Sequence, residues 1–191
     1  ADKINGAIQI RNATNGELLE TLDHVKRKLV SDDLVIADSK KALSVAGIMG
    51  GLESEISKTT KNIVIESAIF DRASISKTSR SHKLPSEASK RFERGTDPEM
   101  NEIAAILAAQ YLSKYGQAKI TGIALDKKPI KRQKISFNKS EFKRLIGFEI
   151  DTKKIKSIFA SLGIKISQNG KNWNVTPPTW RHDLTNQADL V

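Results

Sequence analysis

Gly47-Ile48-Met49-Gly50-Gly51 begins the stretch of sequence that decides the fold, and Ile65-Glu66-Ser67-Ala68 follows it. The stretch ends with Pro85-Ser86-Glu87-Ala88-Ser89-Lys90-Arg91-Phe92-Glu93-Arg94-Gly95-Thr96-Asp97-Pro98. It combines a loop of small residues, one acid inside an apolar run and a charge-dense helical segment. Because a carboxylate is costly to bury among aliphatic side chains, such an acid usually has a partner or a function.

Glu66 directly follows the apolar run 63–65, whose β-branched residues predict a strand buried on both faces. One interpretation makes Glu66 a carboxylate that binds a substrate or orients a water molecule in a pocket. The other makes it a buried acid that pairs with an arginine, for which the candidates are Arg72, Arg80 and Arg91. From the residues alone the ion pair is favoured, because structural ion pairs also account for acids inside proteins.

The glycine loop allows close approach to the main chain, so that either a ligand or a tight turn would explain it. A Walker-type phosphate loop is excluded, because Leu52-Glu53 follows Gly51 in place of Lys-Ser or Lys-Thr. Downstream, the hydroxyls of Ser86 and Ser89 could position a water molecule, although helix capping explains either serine as well. With His82 nearby, a Ser-His-Asp hydrolase is possible but has no further support.

The composition is that of an ordinary globular protein, with 191 residues, 38% hydrophobic and 28% charged. This length suits one large domain or two small ones. No apolar run is long enough to span a membrane. The absence of cysteine excludes disulfides and fits a cytoplasmic protein. The three histidines are too scattered to predict a zinc site.

The net charge of +10 is concentrated between residues 126 and 156, where eleven Lys and Arg residues stand against four Asp and Glu residues. Such a balance favours a polyanionic partner such as nucleic acid, although a solvated basic surface explains it equally well. The candidate contacts are Lys127, Lys128, Lys131, Arg132, Lys143 and Arg144.

The first part of the chain is predicted to be β-rich and then helical. Strands are predicted at 6–11, 33–38, 42–46 and 62–68, with a turn at Asn15-Gly16. Asp71 and Ser86 are placed to cap two helices, the first running through Ser79, and Asp97-Pro98 to begin a third that ends at Gly116. The third helix carries apolar residues at spacings of three and four, which predict a core-facing stripe: Ile103, Ile106, Leu107, Tyr111, Leu112 and Tyr115.

A polar linker near residues 126–129 divides the chain into predicted domains 1–125 and 130–191. Beyond it the pattern predicts a strand at 134–138, a helix at 140–147, and a second helix from Asp151 to Gly163. A hairpin across Asn169-Gly170 follows. The fold class is therefore α+β, a mixed α/β domain followed by a small β-α-α-β-β module that is similar to a winged helix.

Taken together, these motifs resemble the β subunit of bacterial phenylalanyl-tRNA synthetase, an aminoacyl-tRNA synthetase and ligase of protein biosynthesis. Residues 1 to about 125 resemble most of its B3/B4 editing domain, and residues from about 130 to 191 resemble its B5 domain. The loop at 47–51 and the string at 87–98 are the most specific parts of the likeness.

The resemblance implies a hydrolytic pocket that clears tyrosine from mischarged tRNA(Phe). It places the backbone glycine of the pocket at Gly50, the acid that senses the tyrosine hydroxyl at Glu66 and a small residue at Ala88. The hydroxyl residue that helps to position the ester, usually Thr in the family, falls on Ser86. The resemblance therefore favours the pocket interpretation of Glu66 over the ion pair.

The resemblance also implies partners and cofactors for the whole enzyme. It implies a heterotetramer of two α and two β chains that charges tRNA(Phe), with ATP bound by the α subunit and not by this region. Mg²⁺ ligands of the family fall on Asp183 and Asp189, which by themselves could equally be a helix cap and an exposed acid.

Two features of the family have no counterpart here. A His precedes the point that matches Ala1, and two Glu residues follow the point that matches Val191. The sequence therefore reads as an internal piece of a longer subunit, with an incomplete editing pocket and no expected aminoacylation by itself. The alternative is a non-catalytic module for nucleic-acid binding or subunit assembly.

Overall fold

The structure is a computed structural model that describes residues 1–127, 129–130, 132–169 and 172–191. Its contacts divide the chain into two units, 1–96 with 101–119 and 97–100 with 120–191. Both units combine helices with antiparallel sheets, so the predicted α+β class is confirmed. The predicted boundary near residues 126–129 stays a prediction. Within the described part of the chain, no helix is both long and apolar enough to cross a bilayer.

The first unit is built on a four-stranded antiparallel sheet in the order β1-β4-β5-β6, beside a hairpin of β2 and β3. The central strand β4 is buried because Val35, Ile36 and Ala37 all enter the core. The strands are β1 Gln9–Asn12, β2 Leu18–Glu20, β3 Lys26–Lys28, β4 Leu34–Ala37, β5 Ala42–Val45 and β6 Met49–Gly50. The three predicted strands at 6–11, 33–38 and 42–46 are confirmed with shorter bounds.

Two capped helices cover this sheet, α1 (Arg72–Ser81) and α2 (Glu87–Arg94). Asp71 caps α1, because its carboxylate accepts a hydrogen bond of 2.8 Å from the Ser74 backbone N–H. Ser86 caps α2 as predicted. The side chains of Phe70 and Phe92 meet edge to face with ring centroids 5.0 Å apart, which joins the segment just before α1 to α2.

The predicted strand at 62–68 is wrong, because this segment is extended but pairs with no strand among the described residues. Val64 is 55% exposed, and its neighbours Ile63 and Ile65 are also exposed. The prediction rested on β-branched residues, and β propensity produces a strand only where a neighbouring strand completes the ladder. The segment is held by other contacts: the Asp2 carboxylate accepts a hydrogen bond of 3.1 Å from the Asn62 N–H, and the Ser67 hydroxyl donates one of 2.8 Å to the Asn101 carbonyl oxygen.

The third helix, α3, spans Met100–Gly116, so its existence is confirmed with a start two residues later than predicted. The helix is predicted to end at Gly116, but the residue with the left-handed conformation after it is Gln117, with φ of 54°. The predicted core-facing stripe is wrong, because no residue of α3 is buried. Its apolar side chains are distributed around the whole helix and form no single stripe. The core of the first unit is formed without them, by the sheet together with Phe70, Ile75 and Leu84.

The second unit contains the predicted β-α-α-β-β order, which is confirmed. Its elements are β7 Ile135–Phe137, α4 Ser140–Ile146, α5 Thr152–Ser161, β8 Lys165–Asn169 and β9 Asn172–Thr176. Strand β9 lies between β7 and β8 and pairs antiparallel with both. The hairpin of β8 and β9 is confirmed, while Gly170 of its predicted turn lies outside the described residues.

Helix ends in the second unit follow the predicted chemistry. The Asp151 carboxylate accepts hydrogen bonds from the Lys153 and Lys154 backbone N–H groups and so caps α5. Gly147 and Gly163 follow α4 and α5 with positive φ of 87° and 72°. Within the core, Phe137 is fully buried and its ring packs against Phe142, Phe159 and Trp173.

We predict that Phe137→Ala lowers the free energy of unfolding of the second unit by about 3–5 kcal/mol, because it leaves a cavity among three aromatic rings. Phe148→Ala is the matched control, since Phe148 is 60% exposed and its removal should change stability by less than about 0.5 kcal/mol. Urea unfolding followed by tryptophan fluorescence measures both. Equal effects of the two substitutions would contradict the assignment of this core.

Candidate functional site

The glycine loop 47–51 follows β5 and turns back into β6, so that its backbone lies against the core of the first unit. Gly47 has φ of +66°, and a Cβ atom there would lie 2.6 Å from Phe70 Cδ2 and 2.8 Å from Ile75 Cδ1. A side chain is therefore excluded both by the backbone conformation and by the packing. The tight turn that the sequence allowed is present.

The next two glycines bring the main chain close to its neighbours. A Cβ atom on Gly51 would lie 2.5 Å from the Leu43 carbonyl oxygen, to which the Gly51 N–H donates a hydrogen bond of 2.8 Å. The Gly50 carbonyl oxygen accepts a hydrogen bond of 3.0 Å from the Leu22 N–H, and the Leu22 side chain covers its Cα. The loop is thus fixed by main-chain contacts on both sides.

The Ser86 hydroxyl joins this loop to the start of α2. It donates a hydrogen bond of 2.7 Å to the Ile48 carbonyl oxygen and accepts one of 3.0 Å from the Ser89 backbone N–H. A hydroxyl has one proton and two lone pairs, so one lone pair of the Ser86 oxygen remains for another donor. The predicted cap is present, and the bond to Ile48 is a long-range contact that the sequence pattern did not reveal.

Ser89 lies beneath Ser86 and is only 2% exposed. Its hydroxyl accepts a hydrogen bond of 2.9 Å from the Ser86 N–H and donates one of 3.0 Å to the Ser86 carbonyl oxygen. Ala88, the predicted small residue of the pocket, is half-buried in the first turn of the same helix. The structure therefore gathers the glycine loop, Ser86 and Ser89 at one end of α2.

Glu66 lies on the extended segment 62–68 and is exposed at the residue level. Enough protein nevertheless surrounds its carboxylate for desolvation to raise its pKa above the ordinary value. Among the described residues the carboxylate has no hydrogen-bond or ion-pair partner. The predicted arginine partner is therefore wrong for this structure, and Arg72 instead donates a hydrogen bond of 3.2 Å to the Glu93 carbonyl oxygen.

A pair between the partly buried His82 and the buried Asp33 has no counterpart in the sequence patterns. The His82 Nε2 atom lies 2.7 Å from Asp33 Oδ2, and Asp33 also accepts a hydrogen bond of 2.9 Å from the Val30 N–H. The two residues are 49 positions apart, so no local pattern could have paired them. Neither Ser86 nor Ser89 forms a described hydrogen bond with His82, so a Ser-His-Asp triad is not assembled.

The two acids predicted to hold a cation have protein partners. Asp183 forms a bidentate pair with Arg181, at 2.8 Å and 2.6 Å, and this hydrogen bonding lowers its pKa to about 2. Asp189 accepts hydrogen bonds from the backbone N–H groups of Thr185 and Asn186, which lower its pKa. The described residues contain no cluster of three or more His, Asp or Glu side chains that could hold a metal ion. The predicted Mg²⁺ role of Asp183 and Asp189 stays a prediction.

Half of the predicted nucleic-acid contacts are ion-paired within the second unit. Arg132 pairs with Glu99, the Lys143 ammonium lies 3.2 Å from Glu149, and the Arg144 guanidinium lies 2.6 Å from Glu141. These pairings reduce the positive charge that such residues offer to a polyanion. Lys127 is described and has an interaction of its own, whereas the other two predicted contacts, Lys128 and Lys131, lie outside the described residues.

Comparison with known proteins shows two domain families. Residues 1–117 match the family described as "B3/4 domain", and residues 135–191 match the "tRNA synthetase B5 domain". The phenylalanine–tRNA ligase β subunit of Corynebacterium glutamicum is 43% identical over 192 residues, and those of Bifidobacterium longum and Yersinia pestis are 40% and 37% identical. These alignments cover the whole of this chain.

The chain spans only about a quarter of the length of these curated relatives, 23% of the first two and 24% of the third. A solved N-terminal fragment of the phenylalanyl-tRNA synthetase β subunit from Pyrococcus horikoshii is also similar, at 13% identity and a TM-score of 0.46 over 99% of this chain and 55% of that one. A likeness this low carries no argument about fold or function.

We predict that Gly47→Ala lowers the free energy of unfolding by about 1–3 kcal/mol or more, because it forces a non-glycine residue into a left-handed conformation against two core side chains. Gly122→Ala is the matched control, since no atom lies within 4 Å of the added Cβ. Thermal unfolding of both variants measures the difference. A Gly47→Ala variant as stable as the control would contradict the loop geometry.

We also predict that Glu66→Gln stabilises the first unit at neutral pH. The pKa of Glu66 is raised above 4.5 in the folded state, so its ionised form opposes folding. The parent chain is therefore most stable with respect to this group below about pH 4, where Glu66 is protonated. It loses that stability as pH rises through the folded-state pKa of Glu66, whereas the Gln variant does not.

The measurement is the difference in Tm between Glu66→Gln and the parent chain, followed from about pH 4 to pH 7. The difference should grow with pH. Glu87→Gln is the control of opposite sign, because hydrogen bonding to Lys90 lowers the pKa of Glu87 and its loss should not stabilise at pH 7. A Glu66→Gln difference that does not change with pH would show that its carboxylate is not desolvated.

Proposed function

Because the chain belongs to the phenylalanine–tRNA ligase β-subunit family, of which it carries a B3/4 and a B5 domain, we propose that its first unit hydrolyses tyrosine from mischarged tRNA(Phe). The observation that carries the proposal is the junction at which Ser86 on α2 binds the Ile48 carbonyl oxygen of the glycine loop. This junction places a fixed hydroxyl beside the main chain of the glycine loop, which suits the positioning of an ester for attack by water.

Glu66 supplies discrimination in this proposal. Phenylalanine and tyrosine differ by one hydroxyl, and a site that hydrogen-bonds the hydroxyl rejects the amino acid that lacks it. The Glu66 carboxylate has no described partner and its pKa is raised by desolvation, so a phenol O–H would satisfy an acceptor that the protein leaves open. Its exposure on the segment 62–68 also leaves it accessible to a substrate.

Ser86 orients a donor in this proposal. Its only proton is held by the Ile48 carbonyl oxygen, so the hydroxyl offers the substrate a lone pair and not a proton. It can accept a hydrogen bond from the attacking water or from a ribose hydroxyl. Water then adds to the ester carbonyl carbon, the bond to the ribose oxygen breaks, and the products are tyrosine and a tRNA with a free terminal hydroxyl. Gly50 lines the pocket through its main chain, and Ala88 leaves room for the ring.

Charging of tRNA(Phe) is proposed for the complete ligase, of which this chain covers about a quarter of the β subunit. The α subunit, the heterotetramer, ATP and a cytoplasmic location belong to the same proposal. A role of Mg²⁺ is also left to the complete ligase, because Asp183 and Asp189 are occupied by protein donors. Contact of the second unit with tRNA is the less supported part of the proposal, since Arg132, Lys143 and Arg144 already have acidic partners.

We predict that Glu66→Ala in the complete ligase slows hydrolysis of Tyr-tRNA(Phe) relative to Phe-tRNA(Phe) by about 10- to 100-fold, the effect of losing one hydrogen bond to a charged group. Charging with phenylalanine should not change. Glu87→Ala is the matched control, since Glu87 is an exposed acid next to Ser86 that pairs with Lys90. Deacylation of the two aminoacyl-tRNAs measures discrimination directly.

Two outcomes of that assay would count against the proposal. Equal loss of tyrosine clearance and of phenylalanine charging would make Glu66 a structural acid. Unchanged discrimination in Glu66→Ala would remove it from the pocket. A steep dependence of generic RNA binding on salt, confined to the second unit, would instead favour a nucleic-acid-binding module.

A further inference from the structure

We propose that Ser89 is a positioning residue for the hydrolytic site, because it fixes the direction in which the Ser86 hydroxyl points. The inference rests on the proposed function for its activity readout, and on the contacts of the free protein for its structural readout. Ser89 would not touch the substrate, since it is buried beneath Ser86.

The first support is the number of bonds between the two serines. The Ser89 hydroxyl binds both the N–H and the carbonyl oxygen of Ser86, at 2.9 Å and 3.0 Å, and the Ser89 N–H binds the Ser86 hydroxyl at 3.0 Å. Each of the three polar groups of Ser86 is therefore bonded to Ser89. Its other bonds are the one from its hydroxyl to the Ile48 carbonyl oxygen and the one that its carbonyl oxygen accepts from the Lys90 N–H. The backbone and the side chain of Ser86 cannot rotate independently while these bonds hold.

The second support is the direction of the protons. Ser89 has one hydroxyl proton, which the Ser86 carbonyl oxygen accepts, and Ser86 has one, which the Ile48 carbonyl oxygen accepts. Both hydroxyls are thus fixed as donors to carbonyl oxygens. The remaining lone pair of Ser86 has one direction, set by the Ile48 carbonyl oxygen and the Ser89 N–H, while the Ser89 hydroxyl holds the Ser86 backbone that carries this hydroxyl.

The third support is the unusual residue type at this position. A capping box normally places a long Glu or Gln three residues after the cap, where the side chain reaches back along an exposed surface. Here the residue is the short Ser89, which is 2% exposed, and the Ser79 hydroxyl of α1 lies 3.4 Å from the Ser89 hydroxyl. The Ser89 side of the box is therefore enclosed between two helices, while Ser86 stays partly exposed and can meet a substrate or a water molecule.

The test compares Ser89→Ala with Ser76→Ala. Ser76 also links α1 to α2, through a hydrogen bond of 3.2 Å to the Glu93 carboxylate, so it controls for a general loosening of the two helices. Ser89→Cys is a milder variant that keeps the volume with much weaker hydrogen bonding, and it serves if Ser89→Ala does not fold.

We expect Ser89→Ala to lower kcat for Tyr-tRNA(Phe) hydrolysis by the complete ligase about tenfold or more, because small displacements of a positioning group are costly. KM should change less than about threefold, since Ser89 makes no substrate contact. The kcat of Ser89→Cys should lie between those of the parent and Ser89→Ala, and the kcat of Ser76→Ala should be near that of the parent. A loss of kcat in Ser76→Ala equal to that in Ser89→Ala would overturn the inference.

A second readout does not depend on activity. In the 191-residue chain, Ser89→Ala should shift the backbone NMR signals of residues 48–51, whereas Ser76→Ala should not. Unchanged signals at 48–51 in Ser89→Ala would overturn the inference, even if the ligase hydrolyses Tyr-tRNA(Phe). Shifted signals together with a parent ligase that does not hydrolyse Tyr-tRNA(Phe) would uphold the role of Ser89 and reject the proposed function.

Discussion

The hydrogen bond from the Ser86 hydroxyl to the Ile48 carbonyl oxygen is the contact on which the candidate site depends. It joins the glycine loop to the first turn of α2, two elements that are 38 residues apart in the sequence. Gly47, the residue before Ile48, adopts a positive φ against Phe70 and Ile75, so the turn that carries this carbonyl group is packed on the core. The core packing, the turn and the helix cap therefore all meet at the Ile48 carbonyl oxygen.

Glu66 illustrates the opposite constraint, a group that the fold does not satisfy. Its neighbours desolvate it enough to raise its pKa, and no described side chain pairs with it. An acid in this state opposes folding at neutral pH, so its presence is easier to explain by a ligand than by stability. Asp71 and Asp151 show how the same chain treats structural acids, since both accept backbone hydrogen bonds at helix starts.

Local chemistry was predictable from the sequence, and long-range contacts were not. The caps at Asp71, Ser86 and Asp151 each depend on groups within three residues, so a short pattern revealed them. The strand at 62–68 and the core-facing stripe of α3 require partners elsewhere in the chain, and apolar residues alone could not show whether such partners exist. The pairing of His82 with Asp33 and the bond from Ser86 to Ile48 were missed for the same reason.

The most direct test of the central claim is an NMR titration of this chain with tyrosine and, in parallel, with phenylalanine. If Gly50, Glu66, Ser86 and Ala88 form one pocket that senses the hydroxyl, tyrosine should shift the backbone signals of all four at one common affinity. Phenylalanine should then bind more weakly by about tenfold or more, because it lacks the hydrogen bond to Glu66. Shifts confined to residues outside this set, or equal affinity for the two amino acids, would contradict the account.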